Sequence, residues 1–182
     1  MTWLGIQNEY IVGVLRAFYQ SLVAHVKRRE KGDKSLVAHI RFFATVRGRS
    51  IEFDWKIINQ LLGITDPNLN KWKFHRRFSS DQLKDAYGTD GKKASGMSDL
   101  HRVIQYIYSR IMTHKGGNFS EFTLLDNPWL PRLLLKEPIN PGQLISMELL
   151  RWVDGKNQKE NASLPFPQLI SFLLEQFNIK FH

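Results

Sequence analysis

No cysteine occurs among the 182 residues. Disulfides, thiol nucleophiles and every cysteine-based zinc site, a zinc knuckle included, are therefore excluded. The chain also has no run of about eighteen uninterrupted apolar residues, the length that would mark a helical membrane span. Met1 to Ala17 lacks a basic start followed by an apolar block and a small-residue cleavage site. An intracellular protein, nuclear or cytoplasmic, is the expectation. The six histidines show neither H-x-x-x-H nor H-E-x-x-H spacing, and no phosphate-binding loop, G-x-S-x-G elbow or G-x-G-x-x-G turn is present. No catalytic residue, metal ligand or cofactor is expected from these patterns.

What is present is apolar bulk and positive charge. Five Trp, five Tyr and twelve Phe supply the large surfaces a core needs. The formal net charge is +9, and it is uneven: residues 1–93 carry 17 Lys/Arg against 9 Asp/Glu, residues 94–182 carry 9 against 8. A polyanion such as DNA or RNA would meet the first half. A basic but merely solvated surface is the alternative.

Spacing predicts a mainly α (α+β) fold of about six to seven helices with one small β-hairpin, residues 1–182 forming one domain. Apolar positions Ile11, Val14 or Leu15, Phe18, Leu22 and Val26 predict a helix from Asn8 to Arg29, ending in Lys27, Arg28 and Arg29. Ser21–His25 (SLVAH) recurs as Ser35–His39, but the second copy opens an alternation, Leu36, Ala38, Ile40, Phe42, Ala44 and Val46, that predicts a strand. With the Arg47–Gly48 turn and Ser50–Phe53 it makes a hairpin near 36–53. Asp54 is placed to cap a helix ending at Gly63, and Ser79 with Gln82 has capping-box spacing for a helix to Tyr87. The basic loop region over 64–96, which carries that short second helix, is expected to be flexible. Leu100, Val103, Ile104, Ile107 and Ile111 predict a further helix. Asn127–Pro128, Asn140–Pro141 and Pro165 predict three more starts.

The most basic and aromatic stretch is Lys71, Trp72, Lys73, Phe74, His75, Arg76, Arg77 and Phe78. Its aromatics can stack on bases while its cations meet phosphates. Equally, the aromatics can pin a loop to the core with the charges in water. Arg47 and Arg49 flank a Gly that either opens a phosphate grip or serves the positive φ of a tight turn. Glu52 and Asp54, flanking Phe53 at a strand end, point to one face and offer a nuclease-type metal pair, with Asp66, Asp99 and Glu148 scattered elsewhere, but Asp54 is better used as a helix cap.

Taken in order, several segments resemble the plant transposon protein domain family, found in open reading frames of plant retroelements and their derivatives. Leu15–Leu22 (LRAFYQSL) is similar to its V-x-x-F-Y-x-x-L helix. Val46–Phe53 (VRGRSIEF), followed by Ile58–Ile64 (INQLLGI), is similar to its V-R-G-K-x-V-x-F and I-N-x-L-L-G-L block. His101–Asn118, Asn140–Glu148 and the Leu164–Ile170 run (LPFPQLI) with Phe177–Ile179 resemble three later elements. The likeness covers most of the chain in order, while Lys71–Phe78 and the loop to Gly96 match no part of the family pattern.

The resemblance implies a shared fold and a mobile-element ancestry. It brings no catalytic residues. The expected function is a transposon- or retroelement-derived domain binding nucleic acid, DNA or RNA. Lys27, Arg28, Arg29, Arg47, Arg49, Lys71, Lys73, Arg76 and Arg77 would meet phosphates, and Trp72, Phe74 and His75 would stack. The alternatives are a capsid-like or scaffold module that self-associates or docks a protein partner, and a divergent metal-dependent nuclease.

Overall fold

Local chemistry sets the element boundaries before packing does. The computed structural model describes residues 8–26, 40–65, 79–88, 96–111, 130–155 and 164–181. Seven helices and three strands lie among them: α1 (Asn8–Ser21), β1 (Val23–Val26), β2 (Ile40–Val46), β3 (Arg49–Phe53), α2 (Trp55–Leu61), α3 (Ser80–Tyr87), α4 (Asp99–Ile111), α5 (Leu130–Leu134), α6 (Pro141–Gly155) and α7 (Pro167–Gln176). The fold is mainly α with one small antiparallel sheet.

The first helix is shorter than its apolar spacing predicts. It stops at Ser21, and Val23–Val26 becomes a strand. Ser21 explains the break. Its Oγ accepts from the Thr45 N–H (2.9 Å) and lies 3.0 Å from the Thr45 carbonyl, so the side chain ties the helix end to β2. Beyond it, the β-branched Val23 and Val26 favour the pleated backbone, where a branched Cβ is least crowded. The expected hairpin is thus a three-stranded sheet in the order β1-β2-β3. Val23 pairs with Phe43 and Val26 with Ile40; Phe42 pairs with Phe53 and Val46 with Arg49.

The β2–β3 turn holds Arg47 at φ 52 and Gly48 at φ 74. Two consecutive left-handed residues are the tight-turn backbone that matches strand twist, and Gly48 takes it without a Cβ penalty. Asp54 caps α2, accepting from the Lys56 N–H (2.9 Å) and the Ile57 N–H (3.2 Å). Ser79 and Gln82 close both halves of a capping box on α3, at 3.2 and 3.0 Å. α7 starts at Pro167 rather than Pro165, because Phe166 takes a left-handed backbone (φ 52) and Pro167 opens the first turn. The expected start at Asn127–Pro128 lies outside the described residues; α5 ends at Leu134, ahead of Pro138.

Alternation along the strands puts Ile40, Phe42, Ala44, Val46, Ile51 and Phe53 on one buried face. α1 covers it, bringing Phe18 to 6.0 Å from Phe53, while Phe42 stacks on Phe53 at 5.1 Å. Tyr19 continues the aromatic run to Trp152 of α6 (5.0 Å), and its hydroxyl donates to the Pro165 carbonyl. Leu144 and Leu149 of α6 and Ile170, Leu173 and Leu174 of α7 complete this core.

Two Ile-Asn pairs of the sequence, Ile58–Asn59 and Ile139–Asn140, meet here. Asn59 Nδ2 donates to Asn140 Oδ1 (2.9 Å), and Asn59 Oδ1 accepts from the Gly142 N–H (2.8 Å). Asn140 Oδ1 also accepts from the Gln143 N–H (3.1 Å), capping α6. Both asparagines are buried, so each bond satisfies a polar group that water cannot reach. Gly142 makes the approach feasible: a Cβ there would sit 2.2 Å from the Trp55 carbonyl oxygen.

α4 packs Ile104 against the core but turns other members of its apolar stripe outward. Leu100, Val103 and Ile107 are 63%, 55% and 49% exposed, whereas Gln105 is buried at 3%.

Candidate nucleic-acid interface

Of the residues expected to bind nucleic acid, Lys27, Arg28, Arg29, Lys71, Trp72, Lys73, Phe74, His75, Arg76 and Arg77 lie outside the described residues. Arg47 and Arg49 lie within them, at the turn end of the sheet. Arg47 Nη1 donates to the Lys180 carbonyl (3.1 Å), and Arg49 Nη1 donates to the Phe177 carbonyl (3.4 Å). Phe177 is the C-cap of α7, so Arg49 sits where the helix dipole is negative. Each bond uses one of the five N–H donors of a guanidinium. Both arginines remain exposed beside Lys180.

The sheet face opposite the core carries the residues between the buried ones: Val23 and His25 of β1, Arg41, Phe43 and Thr45 of β2, and Ser50 and Glu52 of β3. All are exposed except Phe43, which is half-buried. His25 and Phe43, diagonal neighbours across the strand pair, place their rings 4.7 Å apart with a 51° tilt. Arg41 stands directly opposite His25 and pairs with Glu52 at 3.0 Å. Both partners of that ion pair are mostly in solvent, so the contact is weak and exchangeable. Two rings with a guanidinium beside them form a surface on which a base can stack and a phosphate can be met.

Sequence reasoning missed His25, Arg41, Phe43 and Lys180. A period of two along Ile40–Val46 already assigns Arg41, Phe43 and Thr45 to the face opposite the core, so that signal was present. His25 was hidden because Val23–Val26 also fits a helical spacing.

The carboxylates proposed for a metal pair are otherwise engaged. Glu52 faces Arg41, and Asp54 is bonded to the first turn of α2. Asp99 pairs with Arg102 on α4. Glu148 is buried against Arg151 (2.6 Å); burial raises its carboxyl above the usual range, and the charge and hydrogen bond of Arg151 oppose that rise. Among the described residues, no three His, Asp or Glu side chains come together as a metal site would require. Among them too, no helix is long and apolar enough to cross a membrane.

A small sheet covered on one face by helices, with an exposed aromatic and cationic opposite face, defines the class of architecture. Residues 2–180 match the family described as "Putative plant retrotransposon-related domain", and the chain belongs to that family. No curated protein and no solved structure matches it.

Proposed function

We propose that this retrotransposon-related domain binds single-stranded nucleic acid on the outer face of its sheet. The observation that carries the reading is the His25–Phe43 ring pair beside Arg41 on an exposed strand surface. Arg47, Arg49 and Lys180 extend the positive charge at one end of the same sheet. At the other end, β1 leads in the sequence directly to Lys27, Arg28 and Arg29. A net charge of +9 favours a polyanion over an acidic peptide of few charges, because each phosphate contact releases counterions. The role is one of binding and positioning, with Phe43 and His25 stacking and Arg41 and Arg47 meeting phosphates.

The experiment is a titration of the chain with a fluorescent single-stranded oligonucleotide over a range of salt concentrations. Affinity should fall with salt by about 0.7 log units per log unit for each phosphate met. Arg41→Ala should lower that slope by about one contact. Absence of salt-sensitive binding to any DNA or RNA strand would remove the proposal.

A further inference from the structure

Among the described residues, one carboxylate, Glu52, stands on the outer face of the sheet with the rings and cations. The hairpin fixes its place. With only Arg47 and Gly48 in the turn, Val46 and Arg49 form the closing hydrogen-bonded pair, and the two kinds of pair alternate from there. Phe43 and Glu52 therefore fall in a non-hydrogen-bonded pair, where Cα atoms approach to about 4.5 Å and side chains lie closest. The Thr45 N–H, bonded to Ser21 Oγ, sets the same phase, since it points away from β3. On its other side Phe43 is paired with Val23, which is 43% exposed. Val23, Phe43 and Glu52 thus make one row across the three strands, an apolar patch with an acceptor at its end.

A carboxylate on a surface offered to phosphates repels them. Its ion pair leaves most of its acceptor capacity unused. Arg41 Nη1 takes only Oε1, and Oε2 has no hydrogen-bond partner among the described residues. A carboxylate has about four lone-pair sites and nothing to donate. The bases differ in what their Watson–Crick edges set against it. Guanine presents two adjacent donors, N1–H and the N2 amine, which match two carboxylate oxygens. Adenine and cytosine offer an amine beside an acceptor, and thymine and uracil offer an N–H between two carbonyls. We infer that Glu52 is a specificity-determining residue, selecting guanine for the base stacked on Phe43; this rests on the nucleic-acid reading of the sheet face. Arg41 holds the carboxylate by one lone pair of Oε1 and leaves the rest for the base. The guanine must be unpaired, because a duplex already engages both of its donors.

Fluorescence anisotropy of the full chain at low salt should compare oligothymidylate with a strand of equal length carrying isolated guanines, too sparse to form tetrads. The wild type should bind the guanine strand about fivefold more tightly or better, as a two-donor contact provides. Inosine, which keeps N1–H and lacks the N2 amine, should give a smaller gain. Glu52→Gln, exposed and nearly isosteric, should keep its circular dichroism melt and bind oligothymidylate at least as well as the wild type. Its preference for guanine should fall below about twofold, whereas a Glu52 that served only to pair Arg41 would leave that ratio unmoved. Equal affinity of the wild type for the two strands would overturn the inference while the sheet-face proposal stood. So would inosine matching guanine, or a preference that survives in Glu52→Gln. A chain that binds neither strand would remove the sheet-face proposal and this inference with it.

Discussion

The two faces of the sheet are built from alternate residues of the same strands, and they differ in almost every physical respect. The inner face, with Phe42, Ala44, Ile51 and Phe53, is closed by α1 and shows next to nothing to water. On the outer face, Arg41, Thr45, Ser50 and Glu52 are exposed, and the aromatic Phe43 is only half-covered. Phe42 and Phe43 are the sharpest instance: adjacent in sequence, chemically identical, and separated only by the direction in which the pleat points them. One side of the strand is explained by the fold alone, while the half-covered aromatic on the other side is where the proposed ligand would stack.

Substitution of the two phenylalanines tests that contrast. Phe42→Ala should be the most damaging change, costing about 3–5 kcal/mol of stability, since it empties a closed site stacked on Phe53. A chemical denaturation midpoint unchanged by this substitution would mean the inner face is not a core. Asn140→Ala, away from the sheet, serves as a control. It strands Asn59 Nδ2 and the Gln143 N–H, and it should cost about 1–3 kcal/mol while leaving the affinity of the folded fraction for nucleic acid unaltered. Reduced affinity of folded Asn140→Ala would show that stability and binding are not separable here. Phe43→Ala should cost about 1 kcal/mol or less in the same denaturation experiment. A loss comparable to that of Phe42→Ala would erase the distinction between the faces.

The smallest effect concerns pH. Burial raises the Glu148 carboxyl in the folded state, so the folded chain holds this proton to higher pH than the unfolded chain does. Stability from this group is therefore greatest below its unfolded pKa and declines as pH rises through the folded one. Glu148→Gln should lose less melting temperature between about pH 4 and pH 7 than the wild type. Equal losses would show that the Arg151 pair fully offsets the burial.

Much of the local structure was legible in the sequence, because caps and turns are local chemistry. Asp54, the Ser79–Gln82 box and Gly63 at φ 69 stand where their residue types place them. The sheet was legible only in part. Leu22 and Val26 satisfy both a helical and a strand period, and the Ser21–Thr45 bonds that decide between them join residues 24 apart. The Asn59–Asn140 pair spans 81 residues, so each Ile-Asn motif could be seen singly but their meeting could not. α4 teaches the same point in reverse. Its spacing announces an apolar side, yet only the packing shows that Leu100, Val103 and Ile107 face outward while Ile104 meets the core. For the candidate interface, the period of two already separated Arg41 and Phe43 from the core, whereas His25 needed β1 to be known.

Binding of a single-stranded oligonucleotide by Phe43→Ala, measured beside the wild type at one fixed salt concentration, tests the outer face most directly. Loss of one base–ring stack predicts an affinity lower by about 1–3 kcal/mol, roughly 5- to 150-fold, in a variant that still melts as a folded protein. An affinity equal to that of the wild type would contradict the assignment of this surface to nucleic acid.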